Sequence, residues 1–141
     1  MSDDPGQIAA ELAGQLERAW NAADGAAYGA AFTDDADFVA IRGDYHRTRQ
    51  AIARGHQAIL DSIYRGSQVR FEVTRARRLA DDVILAHATQ TMNAPTGPLA
   101  GTGQATATMV LVRRPEGWRI AAYHNTLVQG QPGASGQSSR P

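Results

Sequence analysis

Apolar residues return every three or four positions through "QIAAELAGQLERAWNAAD", where Ile8, Leu12, Leu16, Ala19, Trp20 and Ala23 fall on one stripe. With 3.6 residues per turn those positions share a face, so the segment reads as an amphipathic helix. In "DGAAYGAAF" Asp24 is placed as an N-cap, and Tyr28 and Phe32 sit one helical turn apart on a second, shorter helix. The pattern then changes. "TDDADFVAI" reads as a turn-rich acidic cluster leading into a short strand, Phe38 to Ile41, that stops at Gly43. After the short segment "DYHR" a long helix is expected from about Arg49 to Arg65, with Ile52, Ile59 and Ile63 on its apolar stripe and Gly66 closing it.

Beyond Gly66 the period shortens to two. In "QVRFEVTRARRL" Val69, Phe71 and Val73 alternate with Gln68, Arg70 and Glu72, the signature of a half-buried strand. "DDVILAHATQTM" follows a tight turn at Ala80–Asp82, and "PTGPLAGTG" is a loop rich in glycine and proline. "QATATMVLVRR" and "WRIAAYHNTLV" are two further strands joined by the turn "PEG". Helices first and a meander last argue an α+β domain, a curved sheet whose concave side is covered by the helices of residues 8–23 and 49–65. One domain over residues 1–128 is expected, and the polar tail "QGQPGASGQSSRP" is expected to be disordered.

Composition narrows the chemistry more than it identifies it. Apolar residues make up 43% and charged residues 20%, with a formal net charge of zero, so no overall field favours nucleic acid or an anionic membrane. All 14 basic residues are arginine, which excludes Schiff-base and amine-nucleophile chemistry on lysine. Cysteine is absent, which excludes thiol catalysis, disulfides and thiolate metal sites. The acidic start "MSDDPGQ" does not read as a signal peptide, no apolar run has the length of a membrane span, and a cytoplasmic protein is expected. Abundant alanine and arginine without lysine suggest a GC-rich bacterial genome.

Three segments, "WNAADGAAYGAAFTDDADFVA", "RTRQAIARGHQAIL" and "GWRIAAYHNT", in this order and spacing, resemble the nuclear transport factor superfamily. Within it the chain most resembles the SnoaL-like branch and its SgcJ/EcaC group. The resemblance implies a cone-shaped fold in which a bent, antiparallel or mixed sheet and three helices enclose a cavity, usually in a homodimer. Members of the superfamily include isomerases, dehydratases, polyketide cyclases and plain binding modules. SgcJ-like members belong to enediyne antibiotic biosynthesis beside an iterative polyketide synthase. Fold alone does not give function. Ketosteroid isomerase, a member of the superfamily, uses an aspartate base with a tyrosine and a protonated aspartic acid as oxyanion donors. Aligned on "NAAD" and "TDDA", its base position falls on Ala40 and its tyrosine position on Leu16, so that route is missing.

Four histidines, at 46, 56, 87 and 124, are the candidates for proton transfer. By strict alternation His124 shares a face with Trp118, Ile120, Ala122 and Thr126, so it is expected to point into the cavity as a general acid or base. A structural histidine bound to a carbonyl is the alternative. His56 lies on the stripe of Ile52, Ile59 and Ile63, where a polar ring needs a partner, and Gly55 beside it leaves room for a neighbouring element. Asp37 opens the first strand and could act as a base, or belong to a solvated turn. His46 and His87 are expected at the surface or rim. Trp20, Tyr28, Phe32, Tyr64 and Met109 are core residues that could also wall a pocket for a flat or polyene-like ligand.

The histidines show no metal-ligand spacing, no phosphate-binding glycine loop follows a strand, and no metal or cofactor is expected. Two functions from different classes remain. One is a cavity protein acting by proton transfer on an apolar polyketide intermediate, with His124 exchanging the proton and Asp37 or His56 orienting it. The other is a non-catalytic homodimer that binds the nascent chain or the synthase. Convergence of two titratable side chains inside a sizeable pocket would separate them.

Overall fold

The computed structural model describes residues 3–129, so the expected tail of residues 129–141 lies, beyond Gln129, outside the described residues. Helix α1, Pro5–Asn21, starts where the Asp4 carboxylate accepts from the Gln7 amide at 2.9 Å, and proline occupies its first turn. Its buried face carries Ile8, Leu12, Leu16, Ala19 and Trp20, the stripe expected from the spacing. Helix α2, Gly25–Gly29, is capped by Asp24 through the Ala27 amide.

Phe32 does not continue that helix. It opens strand β1, Phe32–Val39, so the acidic cluster expected as a turn lies within a strand. Turn propensity is overridden by pairing. The Ile120 amide donates to the Ala31 carbonyl at 2.8 Å, and β1 runs parallel to the last strand. An irregularity between Phe32 and Asp37 turns Asp34 and Asp35 both outward, where Arg49 reaches Asp34 at 3.0 Å. Strand β2, Tyr45–Arg47, pairs antiparallel with β1.

Helix α3, Arg49–Leu60, ends earlier than the expected Arg65. The Tyr64 amide bonds the Ile59 carbonyl at 2.8 Å, a wider turn that rotates Tyr64 into the core and leaves Ile63 38% exposed. Ile63 therefore leaves the apolar stripe expected for it.

Four long strands follow: β3 Gln68–Ala80, β4 Val83–Ala94, β5 Gly101–Arg114 and β6 Gly117–Leu127. They form an antiparallel meander, as their alternation predicted, and the whole six-stranded sheet has the order β2-β1-β6-β5-β4-β3. The helices cover one face. Irregularities in β3 add the curvature that lets the sheet wrap the core. α1 packs along β3 and caps this sheet edge: the Val69 amide donates to Asn21 Oδ1 at 2.7 Å and the Phe71 amide to Glu17 Oε1 at 2.8 Å. Backbone donors of an edge strand are thereby withheld from a foreign strand. Among the described residues no helix is long and apolar enough to cross a membrane.

Candidate ligand cavity

The helices and the sheet do not meet everywhere, and a cavity of about 360 Å³ opens between them. Trp20 comes from α1, Tyr28 from α2, Phe38 from β1, His56 and Ile59 from α3, and Tyr64 from the turn after it. Gln90 and Met92 of β4, Ala105 of β5 and Asn125 and Leu127 of β6 form the sheet wall. Leu99 and its neighbours in the loop before β5 border the mouth. Among the described residues no charged side chain lines this space. Its size falls in the range of small-molecule sites.

His56 is the only histidine on its wall and is 5% exposed. Its ring stacks on Tyr28 at 4.0 Å between centroids, and the Phe38 ring meets it edge-on at 4.7 Å. Nδ1 lies 2.8 Å from the Ile52 carbonyl. A carbonyl only accepts, so Nδ1 carries the hydrogen and Nε2 keeps its lone pair. Burial lowers the imidazole pKa to about 4, the Ile52 hydrogen bond opposes the shift and the charge of His46 adds to it. At neutral pH the ring is uncharged, and Nε2 is an acceptor.

Two further polar groups occupy the sheet wall. Gln90 Oε1 accepts from the Asn125 amide at 3.1 Å and from the Tyr123 hydroxyl at 3.3 Å. The Asn125 Oδ1 is buried and has no hydrogen-bond partner among the described residues. Burial raises the Tyr123 and Tyr28 hydroxyls well above the ordinary phenol range, so both stay protonated. Trp20 Nε1 is held by Ser67 Oγ at 2.9 Å, which fixes the indole plane against the cavity.

A smaller cavity of about 160 Å³ shares Phe38, Ala40, Ile41, His56, Ile59 and Tyr64 with the first and is bordered besides by Arg42, Asp44, His46, Gly55 and Ile63. The space expected beside Gly55 is real: a Cβ there would stand 2.9 Å from Cε1 of His46, whose ring occupies it. His46 is half-buried at the rim, as expected, and His87 is half-buried on the outer sheet face.

His124 does not point into the cavity. It is exposed, and Tyr123 and Asn125 face inward in its place. The cause is a bulge. Val110 pairs with Ala122 while the next residue, Leu111, pairs with Ile120, so Ala121 is an extra residue in β6. One inserted residue exchanges the two faces of everything after it. Trp118 and Ile120, before the bulge, pack inward as alternation predicts. Asp37 is exposed as well, its carboxylate accepting from the Tyr45 hydroxyl at 2.6 Å away from the cavity. Phe32 and Met109 are fully buried but border neither cavity. The structure thus gathers His56, Trp20, Tyr28 and Tyr64 on one wall and leaves His124, Asp37, Phe32 and Met109 elsewhere.

Gln90 and Asn125 escaped the sequence reading. Gln90 carried a signal, because it interrupts the inward series Ile84, Ala86, Ala88 and Met92 with a polar side chain. Asn125 carried none, since its inward direction depends on the bulge.

A bent mixed sheet with helices on one face and a cavity between them defines the cystatin-like, nuclear transport factor-like fold. Residues 10–128 match the SnoaL-like domain, and the chain belongs to that family. Solved structures agree at the level of fold. A domain of unknown function with a cystatin-like fold from Nostoc punctiforme PCC 73102 superposes with a TM-score of 0.82 at 22% identity, covering 94% of this chain and 83% of that one. A ketosteroid isomerase-like protein from Erwinia carotovora atroseptica SCRI1043 gives 0.74 at 14% identity, with coverage of 91% and 99%. A protein provisionally designated a scytalone dehydratase, from Novosphingobium aromaticivorans DSM 12444, gives 0.74 at 8% identity, with coverage of 87% and 83%. No protein of curated function matches the sequence.

Proposed function

We propose that this SnoaL-like domain takes the largely apolar, flat or polyene-like body of a polyketide-class intermediate into the main cavity, and that His56 exchanges a proton with it. The observation that carries this reading is the neutral His56 ring on an uncharged wall, with Nδ1 committed to Ile52 and Nε2 left as an acceptor. An imidazole with a pKa of about 4 returns any proton it takes, which suits transfer between two positions of one ligand. Isomerisation or cyclisation of that kind needs no co-reactant and leaves the proton count unchanged. Trp20, Tyr28, Phe38 and Tyr64 supply the aromatic faces that favour a planar ligand. The resemblance to SgcJ-like proteins supports a place in enediyne biosynthesis beside a polyketide synthase. Half-buried Leu85, Val110 and Val112 on the outer sheet face support the homodimer that the same resemblance implies.

A second reading, binding without catalysis, is favoured by one observation: the Ile52 carbonyl is the hydrogen-bond partner of His56, and no titratable side chain among the described residues hydrogen-bonds to it. One experiment separates the two. The protein is incubated in D₂O with 2-tetralone, a flat enolisable ketone, while the fluorescence of Trp20, in a Trp118→Phe background, follows binding and NMR follows deuterium uptake at the α-carbon. Faster uptake that falls roughly 10²-fold in His56→Gln supports proton transfer. Binding with no acceleration selects the carrier reading, and the absence of binding removes both.

A further inference from the structure

The charges around the two cavities are distributed unequally. Among the described residues none borders the main chamber, whereas Arg42 and Asp44, together with the His46 imidazole, border the smaller cavity. The two spaces share six bordering residues, His56 and Tyr64 among them, and so lie side by side. An apolar chamber beside a polar one fits an elongated molecule of matching asymmetry.

The sign of the polar chamber follows from Arg42. Its guanidinium makes no hydrogen bond or ion pair among the described residues, which is equally true of Arg47, Arg54 and Arg70, but Arg42 is the arginine that borders this cavity. Asp44 borders the same cavity yet does not pair with it. Tyr64 is buried, which raises its hydroxyl pKa, and the Arg42 charge partly opposes that rise. The Tyr64 hydroxyl has no hydrogen-bond partner among the described residues either, and the His46 imidazole borders the same cavity. Arg42 and the Tyr64 hydroxyl are therefore two donors with no acceptor among the described residues at the border of the smaller cavity. A carboxylate is the group that a guanidinium fork binds with two parallel hydrogen bonds.

We propose that the smaller cavity is a carboxylate subsite of the main one, with Arg42 and Tyr64 binding the acid end of a polyene or other long unsaturated carboxylic acid whose apolar body fills the chamber. This rests on the cavity reading above and adds the ligand's polarity to it. His56, at the junction, then faces the carbons nearest the acid group. Asp44 borders the same cavity, and its like charge opposes a carboxylate there, so the Arg42 contact has to outweigh it.

The test uses cis-parinaric acid, a conjugated tetraene acid whose fluorescence rises in an apolar site, and its methyl ester. The wild-type protein should bind the acid about tenfold more tightly than the ester, the scale of one charge-assisted contact. Arg42→Gln, a change at an exposed turn, should lower the affinity for the acid toward that for the ester and so remove that preference. Equal affinities for acid and ester in the wild type would overturn the subsite. A preference that survives Arg42→Gln would overturn its assignment to Arg42. Failure of both probes to bind would instead strike the cavity reading itself.

Discussion

The His56 imidazole lies on the phenol ring of Tyr28 with centroids 4.0 Å apart and planes 25° apart, and it is shut from water on that side. The contact exists because α2 and α3 approach closely, with Gly25 and Gly29 of α2 seated on α3 around Ala53. An imidazole placed there stays neutral, and this has consequences for stability, for binding and for the reading of β6.

Stability should fall with acid through this one group. The unfolded chain takes up the proton below the ordinary histidine pKa of 6.5, whereas the folded ring holds out to about 4. The contribution is complete above 6.5 and is lost as the pH drops toward 4, in total about 3 kcal/mol. Desolvation is the main cause, and His46 is the charged neighbour that adds to it. Urea unfolding of the wild type and His56→Phe, compared at neutral pH and near pH 4.5, isolates the effect. The variant should lose much less stability over that interval, and parallel losses would show that His56 is not a buried neutral ring.

The bulge at Ala121 makes neighbouring residues of β6 differ sharply in cost. His124→Ala should change stability by less than about 0.5 kcal/mol and leave ligand binding intact, since the side chain is exposed. Tyr123→Ala removes a 2% exposed ring stacked on Phe38 at 4.6 Å and should cost roughly 3–5 kcal/mol. Chemical denaturation of both variants checks the pair. A large loss for His124→Ala together with a small one for Tyr123→Ala would mean that the strand has the unbulged register.

Glycine substitutions report on the helix layer. At Gly25 a Cβ would stand 2.6 Å from the Ala53 carbonyl oxygen and 2.9 Å from the Gln57 amide, so Gly25→Ala must push α2 off α3. A loss of about 2 kcal/mol is expected, with a parallel weakening of ligand binding because Tyr28 and His56 move apart. At Gly14 the nearest atom is the mobile end of Arg18, at 3.2 Å. Gly14→Ala should therefore raise stability by up to about 1 kcal/mol through helix propensity alone. Thermal melts of the two variants should move in opposite directions.

The sequence by itself determined the elements whose pattern is local. The stripe from Ile8 to Trp20 made α1, the two-residue alternation made β3 to β6, and Asp24 capped α2, since each depends on residues within a few turns or pleats. It also placed His56 on a buried face and room beside Gly55. Tertiary structure alone decided the rest. β1 exists because Phe32 to Val39 gains a parallel partner in β6, against the turn preference of its aspartates. α3 stops at Leu60, and the wider turn after it, closed by the Tyr64 amide on the Ile59 carbonyl, buries Tyr64 on the cavity wall. The inversion that brought Asn125 in and put His124 out rests on a single unpaired residue at Ala121. Alternation carries direction along a strand only while pairing stays in register, and register is a property of two strands, absent from either one alone.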